Sequence, residues 1–207
     1  MEERELSEQE SMLLIRQMIQ TAKKEQKDDG KGWIIWGWLL FLASFFSYLN
    51  LQANWVDGFF FWNLFGICTI ILLLYETIRY FFGKKRERVR TYTKDLFEKL
   101  NIGFFISLML IIVSINIGVD PIYGFALLLG LYGFWILIYG AVLNFKPTII
   151  GAYITWAFAF ASLFVTKFEH TMLLHAAAVL FGYIIPGHIA FREFNKIRSK
   201  DKGAERV

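Results

Sequence analysis

The chain has 207 residues, of which 56% are apolar and 18% aromatic, and its net charge is +4. Soluble domains hold apolar residues to roughly half and interleave their charges, whereas here the charges fall into blocks between long apolar runs. This segregation excludes an ordinary soluble domain, and it makes the positive charge a property of the loops, so we expect no nucleic-acid partner. The single cysteine, Cys68, excludes an intramolecular disulfide and a cysteine metal cluster.

The first predicted element is an amphipathic helix over about residues 8–27. Ser7 and Glu10 fit a capping box, and a short hinge at residues 30–32 ends the segment 1–32. Because this helix lacks aromatic residues and starts with acids, we expect it to dock on protein rather than on lipid. The protein surface is either the cytoplasmic face of this chain or a partner. The predicted partner-binding residues are Leu14, Ile15, Met18 and Ile19.

Six apolar stretches follow the hinge, and charged segments separate them. They cover residues 33–51, 58–82, 103–118, 121–143, 148–166 and 170–190. A helix needs roughly 20 apolar residues to cross a bilayer, and at this length only helices satisfy their own backbone in lipid. We therefore predict an all-α membrane protein with six transmembrane helices arranged as three hairpins, within residues 33–190.

The basic residues predict the orientation of these helices. Six lysines and arginines precede the first stretch, seven lie in the loop 83–102, and six lie in the tail 191–207, whereas the opposite side has only Lys167. The positive-inside rule then places both termini in the cytoplasm. Residues 88–101 mix basic and apolar side chains, which suits either a short interfacial helix near anionic headgroups or a solvated loop.

Small and hydroxyl residues recur at matching offsets in the first, third and fifth stretches. Such offsets place them on one helix face, where small side chains let helices approach closely in lipid. The pattern indicates one helical hairpin in triplicate, or else only the ordinary small-residue content of membrane helices. The residues are Gly37 and Ser44; Gly103, Ser107, Ser114 and Gly118; and Gly151, Thr155, Ser162 and Thr166.

His175 is an ionisable residue inside the sixth stretch, which by default is a functional-site hypothesis. It shares a helix face with Ala178 and Gly182, so it should face another helix, and Pro186 beyond it predicts a kink. We expect an uncharged imidazole packed against small residues, because a buried charge needs a counter-ion. A ligand among the helices would contact this histidine and nearby hydroxyls. The candidate ligand-binding residues are His175, Ser44, Ser114, Thr155 and Ser162.

One acid lies in each of the three turns predicted outside the membrane. Carboxylates that converge with an imidazole can hold a divalent cation, but single acids are also ordinary helix-boundary residues. Both interpretations stay open from the sequence. The candidate metal ligands are Asp57, Asp120, Glu169 and His170.

The sequence lacks the motifs of membrane or soluble enzymes: it has no HExxH, GxSxG, P-loop or dinucleotide fingerprint. We therefore expect a non-enzymatic protein without a cofactor. The first hypothesis is a sensor, regulator or accessory subunit that contacts a cytoplasmic protein through its N-terminal helix. The alternative is a substrate-binding or transport protein for an apolar or aromatic small molecule. Expected partners are the bilayer, a cytoplasmic protein, or further copies of the chain.

Three sequence segments carry a resemblance to known proteins: SEQESMLLIRQMIQTAK, WIIWGWLLF and GYIIPGHIAF. Together they resemble a group of small bacterial inner-membrane proteins to which no activity is assigned. The resemblance implies a bacterial inner membrane and the same N-terminal helix followed by a membrane bundle. It implies no catalytic or binding residue.

Overall fold

The computed structural model describes residues 30–82 and 92–204, which form six helices and, within these ranges, no β-strand. The all-α prediction is confirmed. The predicted N-terminal helix, including Leu14, Ile15, Met18 and Ile19, lies outside the described residues. The helices are α1 (Lys31–Ala53), α2 (Phe60–Phe82), α3 (Tyr92–Asn116), α4 (Pro121–Val142), α5 (Lys146–Ser162) and α6, which joins Phe168–Val179, a π-helical turn at Leu180–Ile184, and Ile185–Ala204.

Four of these helices are long and apolar enough to cross a membrane. The apolar part of α2 within the described residues is shorter, Phe60–Leu72, and α5 has 17 residues. Length and composition therefore support a membrane protein. The four candidate spans are Lys31–Ala53, Leu96–Asn116, Pro121–Val142 and Phe168–Lys196.

Two helices extend beyond their apolar stretches. Helix α3 begins at Tyr92 rather than near residue 103, so residues 92–101 are its first turns and not a separate interfacial helix or a loop. Helix α6 continues through most of the predicted tail to Ala204. The reason is that leucine, glutamate and lysine are strong helix formers, so a helix does not need to end where its apolar surface ends.

The core is built from small and polar side chains as much as from large apolar ones. Within lipid, association depends on close packing and interhelical hydrogen bonds, because the lipid tails are as apolar as leucine. Large apolar residues accordingly face outward, such as Leu110 at 68% exposure and Phe164 at 85%. Seven buried polar residues are 1% exposed or less: Ser44, Ser47, Asn50, Thr155, Ser162, Thr171 and His175.

Helix α6 runs through the centre of the bundle and packs against both α1 and α5. At the α5 crossing, the backbone of Gly151 lies against the backbone of Gly182, and a side chain on Gly182 would meet Oγ1 of Thr155. On the α1 side, Gly37 lies against Tyr183 and Ile184. The small-residue faces of α1 and α5 thus both serve close contacts with α6.

The third small-residue face differs from the other two. On α3, Gly103 has no described atom near its missing side chain, and Gly118 lies beyond the helix with a φ of 120°. At backbone contact distance α3 packs only against α4 among the described helices, and α2 packs only against α1. The sequence repeat therefore does not correspond to three equivalent packing surfaces.

The π-helical turn Leu180–Ile184 lies directly before Pro186, where we predicted a kink. Proline has no amide hydrogen and its ring crowds the carbonyl four residues earlier. A π turn widens the helix at that point and is a known response to such a break in the hydrogen-bond pattern. The wide turn includes Gly182 and Tyr183, which contact α5 and α1 respectively.

Candidate functional site

His175 lies in the centre of the bundle, with no exposed surface. Its Nδ1 lies 2.8 Å from Oγ of Ser44 on α1, and that Oγ lies 2.7 Å from the carbonyl oxygen of Leu40. A serine hydroxyl has one hydrogen. If it is donated to Leu40, then Nδ1–H of the imidazole donates to Ser44 and both contacts are hydrogen bonds. In this tautomer Nε2 carries no hydrogen and is an acceptor. A buried acceptor without a partner is more common in proteins than a buried N–H without one, so this tautomer is the favoured one.

The surroundings of Nε2 are aromatic. This nitrogen is buried without a hydrogen-bond partner among the described residues. The rings of Trp62, Phe125 and Tyr132 lie around the imidazole at centroid distances of 5.2, 5.7 and 5.9 Å, each at a steep angle. Within the described part of the chain, no carboxylate forms an ion pair with His175. The structure therefore places His175 as predicted, against a small residue of another helix.

The other candidate ligand-binding hydroxyls are bonded within their own helices and not to His175. Thr155 and Ser162 are buried on α5, where they donate to the carbonyls of Gly151 at 2.8 Å and Phe158 at 2.9 Å. Ser114 lies on α3 and donates to Leu110 at 2.8 Å. Of the five candidate residues, the structure thus brings together only Ser44 and His175.

The candidate metal ligands do not come together either. Asp57 accepts from the amide of Phe59 at 2.9 Å, and Asp120 caps α4 by accepting from the amide of Ile122 at 2.8 Å. Glu169 lies 3.7 Å from His170. Among the described residues, no group of three or more acids, histidines or cysteines is placed to hold a metal ion. These side chains act at helix boundaries.

A cavity of about 290 Å³ is the feature that sequence reasoning missed. Its volume is near the lower end of the roughly 300–1,000 Å³ usual for small-molecule sites, which are mostly apolar with a few polar groups. Nine of its fourteen lining residues are aromatic. The lining consists of Gly32, Trp33, Trp36, Leu40, Phe65, Thr69, Asn101, Phe104, Phe105, Leu108, Tyr132, Trp135, Tyr139 and Tyr183.

Five helices contribute to this cavity, at the end of the bundle where α1 begins and α4 ends. No backbone contact joins the described parts of α2 and α3. The cavity lies between them, and α1, α4 and the π turn of α6 also line it. Two lining residues connect it to the buried histidine. Leu40 accepts the Ser44 hydrogen bond, and the ring of Tyr132 lies against His175.

The sequence did contain a pattern that indicates the aromatic residues lining this cavity. On α4, Tyr132, Trp135 and Tyr139 recur at i, i+3 and i+7, and on α1 Trp33 and Trp36 are three residues apart. Such spacing places aromatic rings on one helix face. Sequence spacing alone does not show whether such a face packs against a neighbour or borders a space.

No family model matches the chain, and no curated protein or solved structure is detectably similar to it. The cavity and the histidine beside it are therefore the features from which a function can be inferred. The cavity is partly open and can hold a flat apolar molecule among aromatic side chains. Ser44 and His175 are a hydroxyl and an imidazole within hydrogen-bond distance, but both are fully buried and neither lines the cavity.

Proposed function

We propose that the chain is a non-enzymatic membrane protein that binds an apolar or aromatic small molecule in the cavity between α2 and α3. The carrying observation is the cavity itself, which aromatic residues from all five contributing helices line. Aromatic walls with a small number of polar groups are typical of small-molecule sites.

Catalysis is disfavoured by the placement of the only buried hydroxyl–imidazole pair among the described residues. A serine nucleophile needs its hydroxyl within reach of both substrate and base. The hydroxyl of Ser44 is directed to the carbonyl of Leu40, and no exposed surface connects it with the cavity. The pair therefore fits a structural role that fixes α1 against α6.

The membrane arrangement that we propose has six crossings, with both termini in the cytoplasm of a bacterial inner membrane. Helix α2 has 23 residues, or about 34 Å at 1.5 Å per residue, which is enough for a hydrocarbon core of about 30 Å. Helix α5 is the shortest, at 17 residues, or about 25 Å. The distribution of lysine and arginine supports the orientation.

A second candidate function, sensor or accessory subunit, is favoured by where the cavity lies along the chain. Gly32 and Trp33, in the first turn of α1, line the cavity. Gly32 is the last residue of the hinge predicted to follow the amphipathic helix 8–27, and Trp33 comes directly after it. A ligand in the cavity would therefore lie next to the segment that we expect to contact a cytoplasmic protein. If ligand binding alters that contact, the protein is a sensor of the ligand, and the two hypotheses describe one function.

A matched pair of variants on α3 tests ligand binding. Leu108→Trp fills the cavity, whereas Leu110→Trp places the same ring on the outward face of the helix. Uncharged bicyclic aromatic compounds should raise the melting temperature of the purified wild-type protein, because a ligand that binds only the folded state stabilises it. Leu108→Trp should abolish the shift and Leu110→Trp should retain it. The proposal is wrong if no compound shifts the wild-type protein, or if both variants retain the shift.

The sensor hypothesis has its own test. Deleting residues 1–27 removes the predicted helix and leaves the described bundle intact, so loss of a co-purifying cytoplasmic protein with unchanged ligand binding would support it. Unchanged co-purification and unchanged assembly would contradict it.

A further inference from the structure

The end of the cavity where α1 begins is its polar end. The ring centroid of Tyr139 on α4 lies 4.7 Å from that of Trp33 on α1 and 5.3 Å from that of Phe97 on α3, so three helices meet at this level. Gly32 directly precedes Trp33, Asn101 is one turn beyond Phe97, and both line the cavity. The side chain of Asn101 is exposed, and its amide has no hydrogen-bond partner among the described residues. An accessible amide can therefore meet a ligand at this end.

The opposite end of the cavity is apolar. It is lined by Leu40, Phe65 and Leu108, and Leu40 lies about 12 Å along α1 from the polar end. Thr69 and Tyr132 also line the cavity away from the polar end, but they offer little polar surface. The Oγ1 of Thr69 has almost no accessible surface, and Tyr132 is 5% exposed. A ligand that matches both ends is polar at one end and apolar over the rest of its length.

The direction of this polarity is that of a lipid in the bilayer. In the proposed membrane arrangement, the start of α1 lies at the cytoplasmic boundary. Leu40 lies about 14 Å from that start, close to the middle of a hydrocarbon core of about 30 Å. A lipid of the cytoplasmic leaflet likewise has its head group at this boundary and its chain end toward the middle. Such a molecule can move sideways into the cavity without turning over.

The cavity also borders surfaces that face the bilayer. It is partly open, and no backbone contact joins the described parts of α2 and α3, between which it lies. Ile70 on α2 and Ile106 on α3 directly follow residues that line the cavity, and both are more than half exposed. An apolar chain can pass between such surfaces without crossing a polar barrier.

Size and charge narrow the class of amphiphile. A volume of about 290 Å³ is near the lower end of the range for small-molecule sites, which favours one chain over a phospholipid with two. The lining residues are all uncharged, and the exposed residues Lys31 and Lys99 precede the polar end on α1 and α3. A head group that carries oxygen and no positive charge suits these surroundings.

We propose that the cavity binds a single-chain amphiphile of the fatty alcohol or fatty acid type, which enters from the cytoplasmic leaflet. Its head group lies at Asn101, and its chain end lies between Leu40 and Leu108. This inference rests on the proposed function and names the ligand class of the same site. The amide of Asn101 distinguishes this ligand from a plain hydrocarbon, and the aromatic wall packs against its chain.

The test uses photoreactive decan-1-ol with the full chain in lipid nanodiscs. One probe carries a diazirine at the end of its chain, and a second carries it beside the hydroxyl. Peptide mass spectrometry locates the labelled residues. Unlabelled decan-1-ol and decane then compete with the probes at equal mole fractions in the lipid, so that differences in partition from water do not affect the comparison.

We expect the chain-end probe to label Leu40 or Leu108 and the probe with the diazirine beside the hydroxyl to label Asn101 or Tyr139. Excess decan-1-ol should remove both labels. Leu108→Trp should prevent the chain-end label, whereas Leu110→Trp, on the outward face of α3, should retain it.

Decane should need about a tenfold higher mole fraction than decan-1-ol to compete equally, as the loss of one hydrogen bond allows. Asn101→Leu should remove this tenfold difference. The control is Asn116→Leu at the other end of α3, because the Asn116 amide is already bonded to the carbonyl of Ile112. This control should retain the difference.

Each other outcome identifies which statement fails. Equal competition by decane and decan-1-ol, an unchanged difference in Asn101→Leu, or labels at reversed ends would overturn the assigned head-group position and leave the binding function standing. Absence of labels that decan-1-ol removes, together with a melting-temperature shift by bicyclic aromatic compounds, would overturn the amphiphile alone. Absence of both effects would overturn this inference and the proposed function together.

Discussion

Ser44 of α1 and His175 of α6 share a hydrogen bond of 2.8 Å in a region where neither side chain has any exposed surface. The bond joins the two helices that pack along each other through the bundle. Both helices also border the cavity, α1 through Leu40 and α6 through Tyr183. The Ser44–His175 contact therefore holds two walls of the proposed binding site in a fixed relation.

Substituting His175 should reveal the strength of this bond. His175→Leu should lower the free energy of unfolding by about 1–2 kcal/mol, because it removes the imidazole donor to Ser44. His175→Asn should retain more stability than His175→Gln, since an asparagine amide nitrogen occupies the position of Nδ1 and a glutamine amide occupies that of Nε2. Denaturation of the purified protein by sodium dodecyl sulfate measures the difference.

A double-mutant cycle with Ser44→Ala isolates the pair from other effects of each substitution. We expect a coupling energy of about 1 kcal/mol between Ser44→Ala and His175→Leu, within the range measured for hydrogen bonds between membrane helices. Additive effects would show that the contact contributes nothing to stability. Equal stability of the Asn and Gln variants would contradict the bonding role of Nδ1.

The crossing of α5 and α6 should not tolerate a side chain at Gly182. A Cβ there would meet Oγ1 of Thr155 and lie 3.3 Å from the carbonyl oxygen of Gly151. Overpacking of this kind costs about 1–3 kcal/mol, so Gly182→Ala should lower the melting temperature. Adding Thr155→Ala should partly restore the melting temperature, because it removes the Oγ1 that the new Cβ would meet. Gly130 is the control, since no neighbouring atom of the described residues lies within 4 Å of its missing side chain. Gly130→Ala should be neutral or slightly stabilising.

Asn50 closes the turn between α1 and α2, and both the nitrogen and the oxygen of its side-chain amide form hydrogen bonds there. Its nitrogen donates to the carbonyls of Val56 at 3.1 Å and Asp57 at 3.0 Å, and its oxygen accepts from the amide of Val56 at 2.9 Å. Asn50→Asp keeps the acceptor oxygen but replaces the amide nitrogen, which donates to two carbonyls, with a carboxylate oxygen. We expect this to lower the free energy of unfolding by about 1–3 kcal/mol. Asn116→Asp is the control, because that amide is exposed, and its effect should stay within about 0.5 kcal/mol. Equal effects at both positions would refute the role of Asn50.

Helix positions were readable from the sequence because the length of an apolar run is a local property. The start of α3 and the end of α6 could not be predicted in this way, because helix-forming residues such as Leu96 and Glu98 continue a helix beyond its membrane-spanning apolar stretch. The orientation of His175 toward another helix was also readable, from Ala178 and Gly182 on the same face. Its pairing with Ser44 was not, because pairing depends on how α1 and α6 are rotated against each other.

The cavity could not be predicted for a related reason. The sequence spacing of its aromatic residues predicts that they share helix faces. The cavity, however, depends on the distance of α3 from α1 and α2, and the sequence of one helix does not determine that distance. Thr69 illustrates the difficulty. In the sequence it resembles the other membrane hydroxyls. Only the structure shows that the hydroxyl of Thr69, like those of Ser47 and Thr171, has no partner among the described residues, whereas those of Ser107 and Thr155 are bonded within their helices.

The last prediction concerns α5, the shortest helix proposed to cross the membrane. Lys146 is the first residue of α5, and Lys167 lies in the turn that follows α5, directly before α6; both are exposed. The chain has one cysteine, so Cys68→Ala gives a background without thiols, in which Lys146→Cys and Lys167→Cys each replace one lysine. If α5 crosses, a membrane-impermeant maleimide should label Lys167→Cys in intact spheroplasts and Lys146→Cys only after permeabilisation, because the basic segments lie inside. The Cys68→Ala background should stay unlabelled. Labelling of both positions from one side would show that α5 enters and leaves by the same face, and the chain would then lack the six crossings that place both termini in the cytoplasm.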